Sequence, residues 1–174
     1  IIRPNRIQPQ IFVTEPTECN LSALIPEETN DSIEAAGKSL TKTESIEGAI
    51  GEFVERYCLY WSEQTPLECT YNELDSDKTV PKCLLDIVPA SLAERFNRQT
   101  FSENLVLQWS SGINLLSGTK TYFPTQYVRI NADRGEEYPH VFESTTNGCA
   151  AAPTMKEALS RSICEFVERD AFIK

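Results

Sequence analysis

The pentapeptide Glu-Phe-Val-Glu-Arg occurs twice in this chain, at residues 52–56 and 165–169, and each copy lies eight residues beyond a Thr-x-x-Glu. Across 41–56 and 154–169, eight of sixteen positions are identical. In a helix, at roughly 100° per residue, positions i and i+3 are neighbours on one face. Glu52 therefore shares a face with Glu55, and Glu165 with Glu168. Two like charges at that spacing repel by roughly a few tenths of a kcal/mol. A cation lying against the pair turns that repulsion into attraction. Mg²⁺ suits such a place, because it prefers carboxylate oxygen and completes its shell with water and substrate phosphates. The residues alone leave two readings open. One is a pseudo-symmetric metal–nucleotide site; the other is a pair of solvated polar faces in which Arg56 and Arg169 balance the acids. Residue-for-residue duplication is easier to explain by a site than by a surface.

Two helices must position these groups. Thr41 followed by Glu44, and Thr154 followed by Glu157, have capping-box spacing that predicts helix starts. Ile46, Ala49, Ile50, Phe53, Val54 and Tyr57 recur at helical spacing and predict the buried face of the first helix, opposite the glutamates. Leu159, Ile163, Phe166 and Val167 do the same for the second. Gly48, one turn before Glu52, leaves room for close approach of a ligand. Residues 105–116 and 120–130 read as strands around a Ser117-Gly118-Thr119 turn. Residues 10–14 predict a short strand and 21–25 another short ordered element. The acidic tract 26–36 reads as a loop leading to Gly37-Lys38-Ser39. Pro66, Pro81 and Pro89 break 63–100 into short pieces, with a short helix expected over 90–96. Residues 131–139 read as a polar loop, and 145–148 as a turn. Helices mixed with hairpin strands imply an α+β domain.

Composition narrows the classes. With 26 acidic and 16 basic residues the net charge is −10, which argues against a nucleic-acid partner, whose phosphates need clustered Lys and Arg. No stretch approaches the roughly 20 apolar residues of a membrane span, and no signal-peptide pattern opens the chain. The 174 residues begin without Met and stop on a helical pattern, and are expected to be a piece of something longer. Six cysteines include no C-x-x-C pair, and His140 is the only histidine, so structural zinc is poorly supported. Cys58 and Cys164 fall in the predicted helices and are expected as buried free thiols in a reducing cytosol. Cys149, like Cys164, is expected as a core thiol rather than a nucleophile. His140 reads as an ordinary loop residue, and Trp61 and Trp109 as packing residues.

The stretch from Gly37-Lys38-Ser39-Leu40-Thr41 through Gly48-Ala49-Ile50-Gly51-Glu52-Phe53-Val54-Glu55-Arg56-Tyr57 resembles the first glutamate motif of the YcaO superfamily. Thr146-Asn147-Gly148-Cys149-Ala150-Ala151, with Glu157-Ala158 and the run from Glu165 to Phe172, is similar to the second. Residues 112–124 look like the connecting strands. The likeness covers about residues 37–174, leaving 1–36 as an N-terminal lead-in segment, and implies a YcaO-like mixed helix and hairpin-strand domain, α+β in class and truncated at its C-terminal side.

That resemblance implies ATP and Mg²⁺ as cofactors, with Glu52, Glu55, Glu165 and Glu168 as metal ligands. Lys38, Asn147 and Arg169 match residues near the nucleotide. It implies cyclodehydration of Cys, Ser or Thr to an azoline in a ribosomally made peptide. Implied partners are a peptide substrate, a leader-peptide-binding protein and a second copy in a homodimer, in the cytoplasm. Alternatives are a thioamide- or amidine-forming or methylthiolation-assisting relative, or a catalytically silent scaffold that recruits partners. Gly48 stands where the family often has Ser, and Ala152-Pro153 replaces the usual Gly-Asn. The family's later nucleotide motif has no counterpart in these residues, so the chain alone is expected to be inactive.

Overall fold

The computed structural model describes residues 2–4, 11–15, 33–60, 65–86, 89–130 and 138–173. The expected ordered element at 21–25, most of the loops at 26–36 and 131–139, and Trp61 lie outside them. The chain divides into two units, one built from residues 1–61 and 146–174, the other from 62–145.

The first unit opens with strands β1 (Ile2–Pro4), β2 (Phe12–Thr14) and β3 (Gly37–Ser39), each pairing antiparallel with the next. Helix α1 (Lys42–Tyr60) follows and packs on β2 and β3. Its start is set by Thr41, whose hydroxyl accepts the Glu44 N–H at 3.3 Å. The reciprocal half of the capping box is altered. The Glu44 carboxylate takes the hydroxyls of Thr41 and Ser39, while the Thr41 N–H reaches Ser39 Oγ. Those two hydroxyl bonds hold the Glu44 carboxyl below its usual range. Helix α3 (Met155–Ile173) completes this unit, with Thr154 accepting the Glu157 N–H at 3.3 Å.

The buried faces of both helices differ from those expected. In α1 the buried residues are Ser45 and Ala49, while Ile50 is 58% and Val54 45% exposed. Phe53 and Tyr57 are partly covered, packing with Ile33. In α3 only Ala158, Ser162 and Glu165 are half-buried, and Leu159, Ile163, Phe166 and Val167 are all exposed. The reason is steric. Gly37 presses its backbone onto α1: a Cβ there would overlap the Ser45 carbonyl and stand 2.5 Å from Ala49 N. Only small side chains admit such an approach. Cys58 and Cys164 share the outward faces and are exposed thiols, contrary to the burial expected of them.

The second unit carries β4 (Leu67–Cys69), β5 (Leu107–Ile113) and β6 (Lys120–Pro124) in an antiparallel sheet ordered as in sequence. The expected hairpin is present, closed by the Asn114 N–H to Thr119 O at 2.8 Å, with Gly118 at φ +71°. Its second strand is shorter than the 120–130 expected. It ends at Pro124, after which Thr125–Tyr127 form a 3₁₀ turn. Helix α2 (Ala90–Arg95) lies where a short helix was expected and closes in a Schellman motif. Arg98 N–H bonds Ala93 O and Asn97 N–H bonds Glu94 O, with Asn97 left-handed at φ +53°.

Leu85, Leu107, Trp109, Val141 and Phe142 form the core of this unit. Trp109 is a packing residue, as expected, and its indole N–H donates to Cys69 O at 3.0 Å. Gln126, only 5% exposed, fastens the 139–142 segment to the sheet. Its Oε1 accepts the N–H groups of Val141 and Phe142, and its Nε2 donates to Pro139 O at 2.8 Å. Across the described residues, no helix is long and apolar enough to cross a membrane.

Candidate functional site

Within the first unit, α1, α3 and the segment leading into α3 line a cleft of about 920 Å³. Three of the four candidate metal ligands stand on it: Glu52 and Glu55 from α1 and Glu165 from α3. Ile50 and Val54 give one apolar wall, and Ala150, Ala151, Ala152 and Pro153 another. Glu168 does not line the cleft, and neither do Lys38, Asn147 or Arg169. Lys38 is exposed on β3, opposite Val13. Asn147 is exposed in a turn closed by the Cys149 N–H to Thr146 O at 3.0 Å, with Gly148 at φ +79°.

The repeated sequence makes repeated contacts. Arg56 pairs with Glu52 at 2.7 Å and Arg169 with Glu165 at 3.6 Å, both one turn apart. Each helix also uses a serine to grip the backbone before it: Ser45 Oγ donates to Gly37 O at 2.9 Å, and Ser162 Oγ to Gly148 O. Gly48 serves the first of these joints. A Cβ on it would meet the Gly37 Cα at 3.3 Å, so its missing side chain accommodates the strand rather than a ligand alone.

Backbone N–H groups from both lead-in segments meet the α1 carboxylates. Ala36 N–H donates to Glu52 Oε2 at 2.7 Å, and Ala151 N–H faces the Glu55 carboxylate. Glu55 nevertheless has its pKa raised, by burial first and then by the charges of Glu165 and Glu52; Arg56 and Ala151 offset only part of this. Cys149 is pushed up to about 11, by burial and then by Glu55 and Glu165, so its thiol stays protonated at neutral pH. It is half-buried on the cleft and not a nucleophile.

Crowded carboxylates on facing elements are the donor set a hard divalent ion needs, and the mutual repulsion at Glu55 is what such an ion relieves. The residues fit Mg²⁺ by chemistry. Among the described residues, no three His, Cys, Asp or Glu side chains are yet drawn together as a closed metal cage.

One consequence is measurable without any ion. A carboxyl whose folded pKa is raised binds its proton more readily in the native state, so its ionisation destabilises the fold as pH rises past the ordinary carboxylate range. Glu55→Gln is expected to raise the melting temperature by about 2 °C at pH 7, with the gain vanishing below about pH 4. Scanning calorimetry across that pH range checks it; a lower melting temperature at pH 7 contradicts the repulsion.

Sequence reasoning missed Ala151, Arg161 and Ser162. Ser162 carried a signal, standing three residues before Glu165 on the same face. Arg161 did not, because its role depends on a backbone atom ten residues earlier.

An α+β fold with a carboxylate-lined cleft between repeated helices defines a class of acidic, cation-seeking sites. The family described as YcaO cyclodehydratase, ATP- and Mg²⁺-binding, matches residues 36–174, and the chain belongs to it. An uncharacterised protein from the tfuA 3′ region of Rhizobium leguminosarum bv. trifolii is 26% identical over 94% of this chain and 34% of its own length. Among solved structures, YcaO from Methanopyrus kandleri bound with AMPPCP and Mg²⁺ superposes with a TM-score of 0.62, at 21% identity, covering 94% of this chain and 36% of that one. A heterocyclase in complex with substrate and cofactor gives 0.71, at 19% identity, covering 95% of this chain and 24% of that one. The fold is shared with both. The chain spans about a third of the length of the curated relatives it matches.

Proposed function

We propose that in the full-length protein the cleft holds Mg²⁺ against the phosphates of ATP, for activation of a peptide backbone amide. The observation that carries this is the convergence of Glu55 and Glu165, from the two repeated helices, on one cleft with enough repulsion to raise the Glu55 pKa. The Methanopyrus kandleri neighbour, bound with AMPPCP and Mg²⁺, supports the same reading. In this proposal Glu52, Glu55, Glu165 and Glu168 are the metal ligands, and Lys38, Asn147 and Arg169 meet the nucleotide. Residues 37–174 are part of the ATP-binding domain, and 1–36 lead into it.

Bound ATP and Mg²⁺ supply a phosphoryl group that makes an amide oxygen able to leave, with its charge offset. The chain's own residues hold and orient. Arg56 fixes the rotamer of Glu52, and Arg169 that of Glu165. The Ala151 N–H favours ionised Glu55, and Ile50 and Val54 give the cleft an apolar side that excludes water. The substrate is a ribosomally made peptide and the product an azoline from Cys, Ser or Thr. A leader-peptide-binding protein is the partner, and the setting is cytoplasmic. A thioamide or amidine product would use the same ATP step.

Gly48 favours a second reading. It spends its place on packing against Gly37 and offers no hydroxyl to a nucleotide, as a silent scaffold could afford. Calorimetry of ATP binding to the full-length protein, with and without Mg²⁺, separates the two. Mg²⁺-dependent binding that Glu165→Gln weakens at least about tenfold is expected. Binding that is absent, or indifferent to Glu165, leaves the scaffold.

A further inference from the structure

The segment leading into α3 is held at several points. Ser162 takes the Gly148 carbonyl, and the Arg161 guanidinium, itself on the cleft, donates Nη1–H to Ala151 O at 3.2 Å. Ala151 is thus gripped by its C=O from α3 while its N–H faces Glu55 on α1. In the repeat, Arg161 occupies the place of Gly48, and the two solve one problem in different ways. Gly48 lets β3 settle directly on its helix. At the second helix no strand lies there, and a long side chain reaches out to fasten the loop.

We infer that Arg161 is a positioning residue: by gripping the Ala151 carbonyl it fixes the Ala151 N–H against Glu55, and so sets the cleft's affinity for a divalent cation without touching the cation. This rests on the cation-binding reading above. Its sign opposes simple electrostatics. A guanidinium on an acidic cleft repels a cation, so removing its charge alone tightens binding, by about threefold at most for an exposed group in physiological salt. Removing the grip weakens binding instead, because Glu55 loses a donor aligned to its ionised form.

The test uses Mn²⁺ as the probe, titrated into the full-length protein by electron paramagnetic resonance, together with hydrogen exchange of the Ala151 amide in metal-free protein. Arg161→Met matches the length without a donor. It is expected to bind Mn²⁺ about fivefold more weakly and to exchange the Ala151 amide about tenfold faster, with an unchanged melting temperature. Arg161→Lys, which can still donate to the carbonyl, is expected to recover most of both. Equal or tighter Mn²⁺ binding by Arg161→Met overturns the inference, as does a lysine variant no better than methionine. Failure of the unsubstituted protein to bind Mn²⁺ removes the cation reading and this affinity role with it. In that case the Ala151 exchange rates still decide whether the grip exists.

Discussion

Gly37→Ala is expected to destabilise the first unit by about 3 kcal/mol or more and to lower its melting temperature by about 10 °C. The added methyl would overlap the Ser45 carbonyl and crowd Ala49 N, both of them backbone within α1, so no rotamer change relieves it. Strand β3 would have to lift away, and the Ser45 bond to Gly37 O and the Ala36 bond to Glu52 would go with it. The other helix-facing glycines calibrate the effect. Gly48→Ala meets only the Gly37 Cα, at 3.3 Å, and should cost less. Gly51 faces open space, so Gly51→Ala should stabilise by about 0.5–1 kcal/mol through helix propensity alone. Thermal unfolding followed by circular dichroism orders the three. Gly37→Ala melting no lower than Gly51→Ala would refute the close strand–helix joint.

The second unit has a comparable weak point in a polar residue. Gln126→Leu keeps the volume and removes three hydrogen bonds, orphaning the N–H groups of Val141 and Phe142 and the carbonyl of Pro139. At about 1–3 kcal/mol for each buried group left unsatisfied, a loss of about 4 kcal/mol is expected. Trp109 and Phe142 belong to the same core, so intrinsic fluorescence reports the transition. A denaturation midpoint within a few tenths molar of the parent would mean that water replaces the amide and that the 139–142 segment is not held by it.

The chemistry-bearing helices were legible in the sequence because their signals are local. A hydroxyl three residues before a glutamate and a sixteen-residue repeat both survive without any tertiary information. What covers those helices was not legible. Periodicity groups Ile46, Ile50, Phe53 and Tyr57 on one side, but says nothing of which side finds a neighbour. The neighbour here is strand β3, and it selects Ser45 and Ala49 because they are small. Strands β3 and β4 were missed for a related reason. Three residues contain no period to read, and their pairing partners lie about 25 and 40 residues away. Of the four repeated glutamates, three share the cleft and Glu168 does not line it. That distinction depends on how α3 is rotated, which Ser162 and Arg161 set through backbone atoms.

The first unit is discontinuous in the chain: residues 62–145, which make the second unit, are threaded between its two parts. During synthesis α1 therefore leaves the ribosome long before α3 exists. At about 5–20 residues per second the interval is several seconds, far longer than local helix or hairpin formation needs. The second unit, continuous and rich in neighbouring-strand contacts, can reach its core in that interval. The cleft cannot, because Glu165, Arg161 and the whole second wall arrive last. Through that wait Ile50 and Val54 remain uncovered on a helix whose partner has not been made, which makes this the stage at which a nascent chain would most need a chaperone.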